Sequence, residues 1–586
     1  MRLRDGQACL RWLGRRPFWV VLALTVASGF LFSLNLGAND LGPADEGYCG
    51  VMALNASSGI RELINPSLSP MGPPGDRPLL HALVLAAAVH LGGIDEVSLR
   101  LVSVILGVLV APLLFFIGDA LGSRIAGMWA AVLWLTSPML AGAARAVDAD
   151  LLVVVLGLGG VWLFVHSLQV RRWPYALAAG VLFGLAFLSK LWLALIPAVA
   201  VVGGAWLANA ASPRPERVRW RTWWGLALTC LCGFVVAGSM QLVVCGLVTP
   251  EHLGHWVSVY FGQYLSGRME GADIVHSHKP VLFYVAQLAR TGCLCVPMAG
   301  LGAAALIGRR GGDGRRWLAA GLLLVWPLAL VPMSVPSIKD ISYLLPVLPG
   351  VFLLAGFGIE ALVGHLGRKP LPRWQLVAGL LLAAAGAVAS QLILARGRRL
   401  PNLACAAALV VQSAWIAGLL LAGSRRRGLI LARLAVVGCL IGAIAGGVVQ
   451  QVQTTSATNH VTGYARIARL LEPGLRGLDP GQLCFIAPEC PSMSFYTFRS
   501  GRYWESAYVE PDPGLTLTAL RGSDPFFFVV PTGAMRLYGG RPGPEVLRAI
   551  AAEAHRLDLD LGPRAPVRVY VNDALHAALA GVGPEV

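Results

Sequence analysis

The chain has 586 residues, is 56% hydrophobic and only 13% charged, and has a mean hydropathy of +0.66. Soluble domains carry about 25% charged residues, so a water-soluble enzyme is excluded and a polytopic membrane protein is implied. The net charge of +16 does not point to nucleic acid, because the arginines sit in short clusters between apolar runs, where retention at one membrane face accounts for them.

The basic start "MRLRDGQACLRWLGRR" precedes an apolar run at 17–36. That run is too long for a signal-peptide core and is followed by "GANDLGPADEG" instead of a small-residue cleavage site, so it reads as a first span with a cytoplasmic N-terminus. Further runs near 98–118, 125–142, 151–169, 174–189, 191–209, 222–247, 286–307, 317–335, 341–363, 374–395, 402–422 and 429–451 approach the ~20 residues needed to cross a bilayer. The run "PLLHALVLAAAVHLGG" (78–93) is shorter; its apolar part covers only about 21 Å as a helix.

Arginine parity decides whether 78–93 crosses. If it does not, the clusters at 122–124, 171–173, 214–221, 309–316, 367–373 and 424–428 all fall on the cytoplasmic side, with "ARGRR" (395–399) the single dissenter. If it did cross, all six would fall outside. Residues 78–93 are therefore expected to lie along the outer interface, and thirteen helices are expected to span.

The tail from 452 has turn signals ("PDPG", "RPGP"), strand-like runs ("LCFIA", "PFFFVVP", "VRVYV") and one helix-like run ("PEVLRAIAAEAHRLD"). The expectation is an all-α polytopic membrane domain over 1–451, with 37–97 as its first outer loop, followed by a small extracytoplasmic α/β domain over 452–586. Most of the eleven cysteines lie in apolar runs and read as packing residues; Cys484 and Cys490 are the pair that an oxidising compartment could bridge.

This topology gathers the charged residues outside the arginine clusters onto one face. Asp45 and Glu46 follow the first span on a glycine-flanked turn, and "GPPGDRPLL" supplies Asp76 and Arg77. "ARAVDADLL" supplies Arg145, Asp148 and Asp150, "HSHKP" supplies His276, His278 and Lys279, and "SIKDISYLLPVLP" supplies Lys339, Asp340 and Tyr343. Any one of these is an ordinary solvated loop end. Pooled, acids at a low-dielectric boundary with matching cations suit proton abstraction beside an anionic leaving group.

The order of these segments resembles the bacterial GT-C glycosyltransferases, the group of protein O-mannosyltransferases and the lipid A aminoarabinose transferase. The segments are an acidic pair after span one, "DRPLL" before an interfacial helix, Arg145 with Asp150 and "LL", "GLAFLSK" (184–190), "HSHKPVLFYV" (276–285) and "SIKDISYLLPVLPG" (337–350). The resemblance runs over about residues 17–363. It implies a GT-C-like fold, a polyprenyl-phosphate-linked sugar as donor, an envelope lipid, glycan or protein as acceptor, and work at the outer face of a bacterial inner membrane. It makes Asp45 the general base, Glu46 its companion, and Asp150, with Asp148 beside it, the second-loop acid. Arg77 stands where the family has lysine and, with Lys339, holds the donor phosphate; Arg268 is a further phosphate contact. Asp76, His278, Lys279 and Tyr343 line the substrate, and direct displacement inverts the anomeric centre of a hexosyl or pentosyl group.

The acid pair Asp45/Glu46 could also hold a divalent cation, though the pattern does not demand one and no metal ligand is assigned. His252, His255, His276 and His278 have metal-compatible spacings but read more simply as interfacial histidines. Arg290 reads as a snorkelling side chain, and "NAS" at 55–57 is a sequon by spelling alone. The alternative is a transporter or flippase, which would place ionisable groups near mid-bilayer. A third reading is an assembly subunit whose tail docks a partner.

Overall fold

The computed structural model describes residues 17–38, 41, 45–58, 60–65, 78–212, 218–267, 281, 283–284, 287–288, 295–308, 314–335 and 339–365, and in the tail 484–486, 505–506, 526–531, 552–557, 567–573 and 576–577. Helices run in chain order as α1 (Pro17–Ser33), α2 (Asp45–Ser58), α3 (Ile60–Ile64), α4 (Leu79–Gly92), α5 (Glu96–Ala120), α6 (Arg124–Leu135), α7 (Pro138–Ala143), α8 (Asp150–Val170) and α9 (Trp173–Lys190). They continue as α10 (Leu195–Ala211), α11 (Trp220–Gly238), α12 (Met240–Val248), α13 (Leu253–Val257), α14 (Cys295–Gly308), α15 (Gly314–Val325), α16 (Leu330–Ser334) and α17 (Leu348–His365). A π-helical stretch occupies Ser258–Gly267.

Local chemistry sets the boundaries. Asp95 caps α5 by accepting from Ser98 N at 2.6 Å, and Ser123 caps α6 by accepting from Ala126 N at 3.0 Å. Arg171, in the left-handed conformation at φ 55°, ends α8 before Pro174 opens α9. Two expected spans are interrupted by proline: Pro138 restarts the helix after Leu135, and Pro327 sits in a 3-10 turn at Trp326–Ala329. In 341–363 the regular helix begins only at Leu348, after Pro346, with a 3-10 turn at Ile341–Leu344 before it.

The packing directions test the parity argument. α1 and α5 are antiparallel: Phe18 meets Phe115 and Phe116 at 5.9 and 6.0 Å, while Arg100 Nη1 donates to Leu36 O at 2.7 Å near the other end. The chain therefore enters and leaves residues 37–95 at the same end of the bundle, so that segment as a whole makes no net crossing. α5 and α8 are parallel, with Phe116 against Trp162 at 5.9 Å and Gln169 Nε2 donating to Ala120 O at 2.6 Å. α6 runs back between them, and Trp134 Nε1 donates to Gly107 O at 2.8 Å.

α9 and α11 are also parallel, in backbone contact. A Cβ on Gly180 would overlap the Cys230 carbonyl, and one on Gly184 would come 2.7 Å from Phe234 O. Parallel neighbours require α10 to return between them. Among the described residues five helical stretches are long and apolar enough to cross a membrane, and one of them, Trp173–Ala211, contains both α9 and α10. The expected spans at 374–395, 402–422 and 429–451 lie outside the described residues, as does Cys490.

In the tail, β1 (Cys484–Ile486), β2 (Glu505–Ser506), β3 (Phe526–Pro531), β4 (His555–Leu557) and β5 (Val567–Val571) form one sheet in the order β2-β1-β3-β5-β4. β1 pairs in parallel with β2 and β3, and β5 is antiparallel to β3 and β4. The helix-like run at 544–558 ends in a strand: His555–Leu557 pairs with β5, because edge pairing outweighs the weak helical pattern there.

The backbone contact between α9 and α11 sets the first expectation. Gly180→Val should destabilise the protein by about 1–3 kcal/mol or more, read as a lower melting midpoint in detergent. Gly203→Ala, where an added Cβ meets nothing within 4 Å, should leave that midpoint unchanged or raised.

Candidate active site

The acids predicted from separate loops meet at the end of the bundle where α1 finishes. The structure starts α2 at Asp45 instead of leaving the acid pair on a turn, because carboxylates suit the positive end of a helix. Glu46 accepts from Arg100 Nε at 3.2 Å and Nη2 at 2.9 Å, and from Val147 N at 2.9 Å. The start of α2, the start of α5 and the loop before α8 are thus tied through one carboxylate, and both its oxygens are engaged.

Arg145 performs a different task from substrate binding. Its Nη1 donates to Phe32 O at 2.9 Å and Leu34 O at 2.6 Å, and its Nη2 to Asn35 O at 3.0 Å. These are carbonyls at the end of α1 that lack helical partners. Burial and the neighbouring Arg100 lower the pKa of Arg145 from its ordinary value.

Beyond Glu46 the chain delivers Asp148 and Asp150 to Lys190, the last residue of α9. Lys190 Nζ lies 3.2 Å from each Asp148 oxygen and 2.6 Å from Asp150 Oδ1. Asp150 is 3% exposed, so this ammonium is its neighbour in place of water. The ring of Tyr343 lies under the same ammonium, 5.8 Å from Nζ. Asp340 accepts from Ser342 N at 2.8 Å and so shapes the turn that presents Tyr343, while Lys339 beside it is buried at 1% exposure.

Amide side chains tie the rest of the segment between α1 and α5 to the segment after α11. Asn65 Nδ2 donates to Thr249 Oγ1 at 2.8 Å and Asn65 Oδ1 accepts from Trp256 Nε1 at 2.9 Å. Gln241 Oε1 accepts from Leu79 N at 3.0 Å and from the Tyr260 hydroxyl at 2.7 Å. Burial pushes the Tyr260 hydroxyl pKa up, with Cys245 adding to it. Trp192 Nε1 donates to Tyr260 O at 2.9 Å, so the π-helical stretch that leads towards Arg268 abuts the end of α9.

Of the sequence-predicted residues, the structure brings Glu46, Asp148, Asp150 and Tyr343 together, and Asp45 adjoins Glu46 in the chain. Asp76, Arg77, Arg268, His276, His278, Lys279 and Arg290 lie outside the described residues, as does the side chain of Asp45. Asn55 of the spelled sequon is 1% exposed within α2, which makes it inaccessible to glycosylation. Among the described residues no group of three or more His, Cys, Asp or Glu forms a metal-holding set, and His255 packs edge-on against Trp256.

Sequence reasoning missed Lys190 and Arg100 as members of the site. Lys190 was legible as a lone cation ending an 18-residue apolar helix, and Arg100 as a lone cation in the first turns of a 25-residue one.

Residues 76–238 match the family described as dolichyl-phosphate-mannose-protein mannosyltransferase. No curated protein matches the chain in sequence. In structure the chain is similar to ArnT from Cupriavidus metallidurans in the apo state, with a TM-score of 0.61 and 17% identity over 98% of this chain and 100% of that one. It is similar as well to the same protein bound to undecaprenyl phosphate, with a TM-score of 0.61 and 19% identity over 97% and 99% of the two chains. The oligosaccharyltransferase of Archaeoglobus fulgidus follows at a TM-score of 0.49, with 13% identity over 81% of this chain and 64% of that one. The resemblance read from the motifs holds: the chain has the GT-C fold and, over 76–238, the sequence pattern of a lipid-phosphate-sugar transferase family.

The burial of the Glu46–Arg100 pair, with side chains 12% and 7% exposed, sets the second expectation. Glu46→Ala should cost about 3–5 kcal/mol because it strands a buried guanidinium. Arg124→Ala breaks an exposed pair with Asp119 and should cost at most about 1 kcal/mol. Thermal unfolding in detergent separates the two.

Proposed function

We propose that the protein is a membrane glycosyltransferase that moves a sugar from a polyprenyl-phosphate donor to a hydroxyl of an envelope lipid, glycan or protein. It would act at the outer face of a bacterial inner membrane, with the C-terminal region from 452 as an extracytoplasmic domain. One observation carries this reading: acids from the first and second outer loops converge at one end of a GT-C bundle, with Glu46 bonded to Val147 and Lys190 joining Asp148 to Asp150.

The roles follow from what each group can still do. Both oxygens of Glu46 are engaged, so it is a positioning residue that sets the start of α2 against the 147–150 loop. Asp45, one residue earlier, is the general base. It takes the proton of the acceptor hydroxyl as that oxygen bonds to the anomeric carbon, while the bond from that carbon to the phosphate oxygen breaks. The leaving group is polyprenyl phosphate, and a single displacement inverts the centre. A carboxylate is a weak base for an alcohol, so proton transfer is concerted with bond formation.

Much of the barrier is then removed by cations at the departing phosphate, a role assigned to Arg77, Lys339 and Arg268. Asp76, His278, Lys279 and Tyr343 complete the substrate contacts. Lys190 fixes Asp148 and Asp150 and offsets part of the repulsion between the two carboxylates.

The test compares envelope lipids and glycans by mass spectrometry in cells with and without the protein. The wild type should generate a sugar-modified product. Asp45→Asn should lower its formation by about 100-fold or more without changing the melting midpoint. Wild-type product levels from Asp45→Asn would exclude Asp45 as the base, whereas the same lipids and glycans with and without the protein would exclude the transferase reading.

A further inference from the structure

We propose that the corner where α10 ends and α11 begins binds an anionic phospholipid of the leaflet opposite the candidate active site. The start of α11 lies beside the start of α9, because the two helices are parallel, whereas Lys190 ends α9 at the other side of the bundle. The corner therefore lies outside the site described above.

Four indoles line it in a continuous chain. Trp206 meets Trp220 at 6.5 Å, Trp220 meets Trp223 at 5.9 Å, and Trp223 meets Trp224 at 4.8 Å. Trp206, Trp220 and Trp224 are 41%, 39% and 52% exposed, but Trp223 is only 2% exposed. Its Nε1 is buried and has no hydrogen-bond acceptor. A buried donor left unmade costs free energy, and a headgroup or ester oxygen settling into the corner would relieve that cost.

The charge fits the same occupant. Arg219 and Arg221 flank Trp220, both exposed. Over residues 214–221 the sequence "RPERVRWR" sets four arginines against one glutamate. Asn209 holds the end of this loop in place: its Nδ2 donates to Val218 O at 3.1 Å and its Oδ1 accepts from Val218 N at 2.8 Å. The backbone at Val218, next to Arg219, is thus tied to the end of α10 beside Trp206. Indoles seat at the level of the headgroups, and guanidinium groups there attract anionic lipid.

An ordinary aromatic belt would anchor the helices without preferring a headgroup, and the experiment distinguishes the two. The purified full-length protein is titrated with phosphatidylglycerol or phosphatidylcholine of identical acyl chains, and adducts are counted by native mass spectrometry. The wild type should bind phosphatidylglycerol at about tenfold lower concentration. The double variant Arg219→Gln, Arg221→Gln should lose roughly thirtyfold in phosphatidylglycerol affinity. Trp223→Phe, which keeps the ring and removes the donor, should lose a few-fold.

Equal binding of the two lipids by the wild type, or an unchanged preference in the double variant, would overturn the proposal. Should the double variant fail to fold, Trp223→Phe and a titration at about 1 M salt, where charges are screened beyond about 3 Å, decide it. A phosphatidylglycerol preference that survives the salt, or an unchanged affinity in Trp223→Phe, overturns the site; loss of the preference in salt with a few-fold weaker binding by Trp223→Phe supports it.

Discussion

The contact that organises the working end of this protein is the buried pairing of Arg100 with Glu46. Arg100 reaches Leu36 O with one nitrogen and Glu46 with two others, and Glu46 completes its set with Val147 N. One side chain on α5 thereby fixes the end of α1, the start of α2 and the approach to α8. Arg145 repeats the device on the carbonyls of Phe32, Leu34 and Asn35. A helix end leaves four carbonyls without helical partners, and here two arginines donate to carbonyls at and just beyond the end of α1. Burying such a pair yields little net stability, since desolvation offsets the attraction. Its effect is on geometry: a carboxylate bound on both oxygens cannot drift, and the start of α2 is held with it.

Lys190 orders the second half of the site by the same logic. Unit charges about 4 Å apart attract by about 4 kcal/mol at an effective dielectric of 20, against several kcal/mol to desolvate each ion. The cluster is therefore close to balanced energetically. Helix dipoles tilt the balance: the ammonium sits at the C-terminus of α9 and Asp150 at the N-terminus of α8, each at the end whose partial charge it complements. All of these ions lie at helix ends. A transport pathway would place such groups on broken helices near mid-bilayer.

Much of this could be read from the residues because an apolar run carries its own meaning. Helices α5, α8, α9 and α10 fall within a few residues of the expected spans, whereas the expected span 222–247 breaks into α11 and α12 at Ser239. Proline explains the breaks near Pro138 and Pro327, which hydropathy averages away. Arg100 and Lys190 were harder to read, because each is one charge inside an apolar run and gains its meaning from a partner 54 or 40–42 residues distant. The acid pair at 45–46 was recognised for its chemistry, but the helix beginning there was masked by the glycines on both sides. The tail strands at 526–531 and 567–571 stood out as runs of aromatic and β-branched residues, whereas β4 carries no such signal.

The division of labour between neutral and charged contacts bears on how a phosphate-bearing donor would be received. The segment between α1 and α5 is fastened to the segment beyond α11 by amides, Asn65 and Gln241, whose bonds do not depend on ionisation. An anion arriving nearby leaves that attachment unchanged. The acid cluster is different: a single ammonium shared by Asp148 and Asp150 has no positive charge to spare, so a phosphate gains nothing by approaching it. Under the proposed function, the phosphate must then seat away from these acids, towards Lys339 and the arginines assigned to it. The sugar would lie between phosphate and carboxylates, with the acceptor hydroxyl on the carboxylate side. That placement opposes nucleophile and leaving group across the anomeric carbon, which is the geometry an inverting displacement requires.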